Sequence, residues 1–261
     1  MIGLAALFGA VIGALLGLVG GGGGILAVPA LVYGLGLPFS AAVPASLVVI
    51  GLASAVAVAP RARREVNWRL AVIIGAAGVP TALLGGVVNH HLDQHVLLLV
   101  FAGIMILAAA RMLRGTDETG GVCDLPDGGV AWRRCLPRAI VTGLLVGFLT
   151  GLLGVGGGFL LVPALIIALG LRTPNAVATS LVIIVINSMA GLVPYLATGH
   201  IATGMNWPAI AVFALAAIVV SLPAGRLARR IPATALRRGF AVLVLVVAAA
   251  VTVQAITSLI A

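Results

Sequence analysis

The chain has 261 residues, is 62% hydrophobic and 8% charged, and has a mean hydropathy of +1.28; soluble domains carry about a quarter charged residues, so a water-soluble fold is excluded. Its length accommodates about eight to ten spans of roughly 20 residues with short connectors, which leaves no room for a large soluble domain. The net charge of +9 comes from 15 arginines, with no lysine, against six acids; the arginines gather at span ends and in connectors, which points to anionic headgroups and cytoplasmic loops rather than to nucleic acid.

The first apolar run starts at Met1 with no basic region ahead of it, so it is expected to stay in the protein rather than be cleaved as a signal. Residues 2–36 form a glycine-interrupted apolar segment. Within it Gly9, Gly13 and Gly17 make a GxxxG ladder of the kind that lets helices approach closely. Plainer spans follow at 41–60, 70–88 and 96–113. The stretch 114–138 carries Asp117, Glu118, Asp124 and Asp127, several glycines and both cysteines, and reads as a polar linker. Cys123 and Cys135 match no zinc or redox spacing and are expected to be ordinary thiols on a reducing face. A second glycine-interrupted segment occupies 139–171, and spans at 175–196, 207–225 and 234–259 complete the chain. Helices are the only open-chain way to cross lipid, because backbone groups must be bonded within the segment.

The chain repeats itself. Residues 9–54 match 143–188 without a gap at an offset of 134, including Gly20, Gly22, Gly23 and Gly24 on Gly154, Gly156, Gly157 and Gly158, Ser46 on Ser180, and Ser54 on Ser188. After a five-residue insertion the offset becomes 139, with Asn67 and Trp68 on Asn206 and Trp207, Gly86 on Gly225, and Phe101 on Phe240. The expected fold is an all-α membrane protein, a polytopic bundle of two homologous halves (1–113 and 139–261) joined by a cytoplasmic linker (114–138).

Arginine placement bears on how the halves are oriented. The connector with Arg61, Arg63, Arg64 and Arg69 and the one with Arg226, Arg229, Arg230, Arg237 and Arg238 should both be cytoplasmic. Both can lie inside only if each glycine segment folds back as a hairpin, which makes the halves inverted repeats. The linker arginines Arg114, Arg133, Arg134 and Arg138 then also lie inside, while the arginine-free connectors 89–95 and 198–206 lie outside.

Consecutive glycines cost a helix about 1 kcal/mol each, so 20–24 and 156–158 read as helix breaks, tolerated at membrane depth only where the backbone is buried in protein or lines a cavity. The stretches after them, 25–36 and 159–171, would present free N–H groups and the positive end of a helix dipole to an anion. Paired broken segments in two halves are the usual sequence pointer to a transporter's midplane site. The candidate substrate-binding residues are Gly20, Gly22, Gly23, Gly24, Ser46, Gly154, Gly156, Gly157, Gly158, Thr179, Ser180 and Asn187, with Ser54 and Ser188 behind them. Serine in a membrane helix often bonds only its own backbone, which is the competing reading of Ser46 and Ser180. No Asp, Glu or Arg falls near the centre of a span, so neither a buried carboxylate relay nor a buried cationic clamp is expected. His90, His91, His95 and His200 lie in connectors and read as solvated, with a proton-sensitive gate as the alternative.

The segments GLVGGGGGILAVPAL at 17–31 and GLLGVGGGFLLVPAL at 151–165, the Ser46 and Ser180 match and the Asn–Trp pairs resemble the TauE/SafE family of sulfite and organosulfonate exporters over nearly the whole chain. The resemblance implies two homologous membrane halves and transport of a sulfur-containing anion such as sulfite, sulfoacetate or thiosulfate. The expected function is a secondary transporter for a small anion in the plasma membrane, with an anion channel on the same scaffold as the alternative. A proton or sodium ion is the expected class of coupling ion, and self-association into a homo-oligomer stays open. HExxH, GxSxG and paired carboxylates within a span are missing from the sequence, so no enzyme activity, cofactor or metal is expected. Without a lysine there is no ATP-binding loop of the GxxxxGKS type.

Overall fold

In the computed structural model of the chain, residues 2–21, 23–37, 39–89, 132–153, 158–197 and 207–228 are described continuously, with isolated positions between 103 and 113 and between 231 and 252. Among these every regular element is helical: α1 (Ile2–Val19), α2 (Gly23–Pro29) running on into a π-helical turn (Ala30–Gly34), α3 (Phe39–Val58), α4 (Trp68–Asn89), α5 (Trp132–Leu153), α6 (Gly158–Leu169), α7 (Thr173–Ala197) and α8 (Trp207–Ala228). Helices α1, α3, α4, α7 and α8 are long and apolar enough to cross a membrane. The expected spans at 96–113 and 234–259 fall largely outside the described residues. Helix α5 starts at Trp132, inside the stretch read as linker; arginine is a good helix former, so polarity alone does not end a helix there.

The elements begin and end where local chemistry dictates. The Oδ1 of Asn67 accepts the Leu70 N–H at 3.3 Å and its carbonyl accepts the Ala71 N–H at 2.9 Å, which makes Asn67 the N-cap of α4. Gly36 and Gly170 both take φ +68, a left-handed value that suits glycine at a helix end. The amide of the next residue then reaches back six positions, Leu37 to the Leu31 carbonyl at 3.1 Å and Leu171 to the Leu165 carbonyl at 3.2 Å. These two caps are 134 residues apart, so the sequence repeat is also a geometric one.

Packing follows the small residues. Helix α1 packs most extensively on α8 and α4 on α5. A Cβ on Gly9, Gly13 or Gly17 would collide with the carbonyls of Phe213, Ala217 and Ser221 in turn, and one on Gly143 would sit 2.7 Å from the Ile74 carbonyl. Both pairs therefore run parallel at backbone contact, and the ladder glycines serve close packing. Helices α3 and α7 form the centre: 61% and 56% of their span residues are buried, against 33–39% for α1, α4 and α8. A Cβ on Gly51 would lie 3.1 Å from the Ser188 Cβ, and one on Gly191 would lie 3.3 Å from Leu47 Cδ1, so α3 and α7 cross antiparallel although they are repeat equivalents. The outward faces carry exposed aliphatic residues such as Leu7, Val11, Leu83, Leu145 and Val219, as lipid contact requires.

Candidate functional site

Helix α1 stops at Val19, where the Gly20 amide closes the last turn on the Leu16 carbonyl at 2.9 Å. Gly20 takes φ +85, and a Cβ there would meet Val177 Cγ1 at 2.8 Å, the Val177 carbonyl at 2.9 Å and Ser180 Oγ at 3.1 Å. Only glycine satisfies both the dihedral and the space. The break of the first half is thereby docked against α7 of the second, beside its candidate serine. Gly23 and Gly24 are buried at the start of α2. A Cβ on Gly23 would lie 2.7 Å from the Ile12 carbonyl and 2.7 Å from Leu16 Cγ, whereas one on Gly24 would find only Ile50 Cδ1 at 3.7 Å. In the second half Gly158 opens α6, while Gly22, Gly154, Gly156 and Gly157 lie outside the described residues, as do the four histidines.

The polar candidates fall into two groups. The hydroxyls of Ser46 and Ser180 donate to the carbonyls of Val43 (2.7 Å) and Val177 (2.8 Å), the same i−3 bond in each repeat. To hold an anion either hydroxyl must turn away from its own helix. The Thr179 hydroxyl oxygen accepts the Asn67 N–H at 3.2 Å, tying α7 to the start of α4. In the second group Ser54 Oγ and Asn187 Oδ1 are buried without a hydrogen-bond partner among the described residues, and Ser188 is buried at the α3–α7 crossing. An unsatisfied buried polar atom costs about 1–3 kcal/mol, and natural chains retain such atoms where water or an ion completes them.

Depth departs from expectation. Gly20 lies against Val177 and Ser180, within the first two turns of the 25-residue α7, so the break sits toward one end of the bundle rather than at its middle. The cause is the length of α1: its 18 residues extend about 27 Å before the chain turns.

Arg61 departs further. It follows α3 in a connector whose Arg63 and Arg64 are exposed, yet it is 3% exposed itself. Its Nη2 donates to the Gly17 carbonyl at 3.1 Å and the Gly225 carbonyl at 2.7 Å, and Nε lies 3.8 Å from Glu65 Oε2. Gly17 and Gly225 stand in the last turns of α1 and α8, where carbonyls have no partner within the helix and the dipole is negative. A charge-assisted bond of this kind contributes about 1.5–3 kcal/mol. A buried cation therefore sits beyond the end of α3, outside the span centres where none is expected; its burial escaped notice because an arginine outside a span reads as headgroup-facing.

Two further findings bound the site. A cavity of about 300 Å³ between α5 and α6 is lined by Leu107, Leu145, Val146, Leu149, Leu160 and Ile167 among others, with Thr142 its one polar side chain; so apolar a lining disfavours a desolvated anion. Cys135 is fully buried and disulfide-bonded, which corrects the expectation of free thiols; Cys123 lies outside the described residues. Among the described residues no group of His, Cys, Asp and Glu could hold a metal ion.

Comparison with known proteins identifies the family. Residues 5–251 match the family model described as sulfite exporter TauE/SafE. The chain belongs to that family. It is 37% identical over 175 residues to a protein of Xylella fastidiosa (strain 9a5c), a match covering 66% of each chain. It is 31% identical over 195 residues to one of Methanocaldococcus jannaschii, covering 72% of this chain and 70% of the relative. With a Haemophilus influenzae protein the identity is 26% over 266 residues, 94% of this chain and 96% of the relative. All three bear the name "probable membrane transporter protein". The matched region thus spans just under two thirds of the Xylella relative's length. No solved structure matches the chain. Family and apolar helices together make this TauE/SafE member a multi-pass membrane protein, and its relatives bear the name of membrane transporters.

Proposed function

We propose that the chain is a secondary transporter of a small sulfur-containing anion (sulfite, thiosulfate or an organosulfonate), working by alternating access between two inverted halves in the plasma membrane. The observation that carries the reading is the docking of Gly20 beside Ser180: the broken segment of one half meets the serine-bearing central helix of the other. The candidate donors without a fixed charge are the amides of Gly22, Gly23, Gly154, Gly156, Gly157 and Gly158, since those of Gly20 and Gly24 already bond the Leu16 and Gly21 carbonyls and these two glycines shape the break instead. Ser46 and Ser180 add hydroxyls once released from their i−3 carbonyls. Thr179 and Asn187 complete the candidate set. Inversion is supported by the antiparallel crossing of α3 and α7, since repeats of like orientation would place those helices parallel. The hairpin is supported by Gly23 lying against Ile12 and Leu16 and by Gly34 lying against Phe8, as they must if α2 returns along α1. The stretch 114–138 is the cytoplasmic join between the halves.

The test is uptake of radiolabelled sulfite, thiosulfate and sulfoacetate into proteoliposomes, with and without imposed proton or sodium gradients. Saturable, gradient-dependent flux of one anion is expected. Flux that never saturates would make the protein a channel, and no flux of any of the three would remove the sulfur-anion reading.

A further inference from the structure

We propose that Arg61 is the latch that holds the α1–α8 seam shut at one end of the bundle, and thereby positions the Gly20 break against Ser180; the inference rests on the reading of that break as part of the transport site. Two helix carboxyl ends meet at Gly17 and Gly225, each with free carbonyls and partial negative charge. Side by side in a medium of low dielectric they repel. The guanidinium places one nitrogen between the two carbonyls, at 3.1 and 2.7 Å, and so turns a repulsive junction into a bridged one. The guanidinium packs directly over Gly225, where a Cβ would stand in ordinary contact 3.4 Å from Nη2 and 3.7 Å from the Gly17 carbonyl. Glu65, on the next turn of the connector, balances the buried charge from 3.8 Å.

The position of the latch matters for transport. Gly17 is three residues before Gly20, so anything that frees the end of α1 frees the break. The bridge also spans the two halves, joining the first half's α1 and α3–α4 connector to the second half's α8. The repeat supplies Gly151 and Gly86 as counterparts of Gly17 and Gly225, yet the counterpart connector, 198–206, contains no arginine. The lock is therefore built into one of two equivalent seams, and an alternating-access cycle must release it to open that side.

Accessibility of the seam tests this without a substrate. Ser221 is fully buried with its carbonyl against Gly17, so in Ser221→Cys protein the new thiol is shielded while the bundle is closed, and its reaction with N-ethylmaleimide reports opening beside this seam. Modification at that position, read by peptide mass spectrometry in detergent without reductant, should accelerate at least tenfold on adding Arg61→Gln. Arg61→Lys, which keeps the charge and one set of donors, should accelerate it less than threefold. Should the glutamine variant not purify as a single species, Arg61→Met, which keeps an unbranched stem and removes every donor, stands in and should raise the rate threefold or more. Parent-like rates in Arg61→Gln, or in Arg61→Met where that stands in, would overturn the latch. Because labelling needs no anion, faster labelling without any sulfur-anion flux would remove the transport reading alone, and flux with unchanged labelling in those variants would remove the latch alone.

Discussion

At the scale of single residues, the five consecutive glycines at 20–24 are not interchangeable. Gly20 combines a left-handed φ with contacts at 2.8–3.1 Å, whereas Gly24 has its nearest foreign atom at 3.7 Å and lies within α2. A left-handed conformation costs a residue with a Cβ about 1–2 kcal/mol, and displacing Val177 adds to that. Gly20→Ala should therefore lower the apparent melting temperature in detergent by roughly 3–8 °C and impair transport. Gly24→Ala, which improves helix propensity without a clash, should melt within a degree or two of the parent; equal effects of the two substitutions would show that the break is not docked as described. The run of glycines was visible in the sequence, but which glycine carries the constraint was not, because that depends on Val177 and Ser180, more than 150 positions away. Arg61 was hidden for a related reason. Counting arginines per connector locates a membrane face, and says nothing about which arginine turns inward to meet Gly17 and Gly225.

At the scale of elements, the glycine ladders set which helices pair. With lipid on both sides there is little hydrophobic gain in bringing two apolar helices together, so association depends on backbone proximity and packing. In α5, Gly147 lies so close to Gly78 of α4 that a Cβ would collide with its carbonyl and stand 2.6 Å from Thr81 Oγ1. Overpacking usually costs about 1–3 kcal/mol where side chains can move aside, but here the obstacle is backbone. Gly147→Val should therefore destabilise by the upper end of that range or beyond, read as a loss of the monodisperse peak in size-exclusion chromatography. The matching change at an exposed ladder-free position, Leu145→Val, should leave the peak intact. The GxxxG spacing made the existence of such contacts readable in advance. Their partners were not, since α1 on α8 and α4 on α5 are pairings between halves that neither repeat reveals alone.

At the scale of the molecule, the two halves exchange partners: the first helix of each packs on the last described full-length helix of the other, around a central antiparallel pair. The proposed inversion extends the antiparallel crossing of α3 and α7 to the halves as wholes, carrying each feature of one half to the opposite end of the bundle in the other. Under the proposed inversion Trp68 and Trp207, repeat equivalents at the first position of α4 and α8 and each 52% exposed, serve as interface anchors for opposite membrane surfaces. Repeat and arginine pattern together suggested this orientation, but a disulfide at Cys135 pulls the other way for the stretch 114–138, since such bonds persist mainly in oxidising compartments. Topology mapping settles which rule governs. With α3 ending and α4 starting on the cytoplasmic side, a cysteine at exposed Arg64 should react with a membrane-impermeant maleimide only after cells are lysed, while Thr203→Cys, in the arginine-free connector, should react in intact cells. Labelling of both from the same side would remove the inverted arrangement, and with it alternating access by exchange of two equivalent seams.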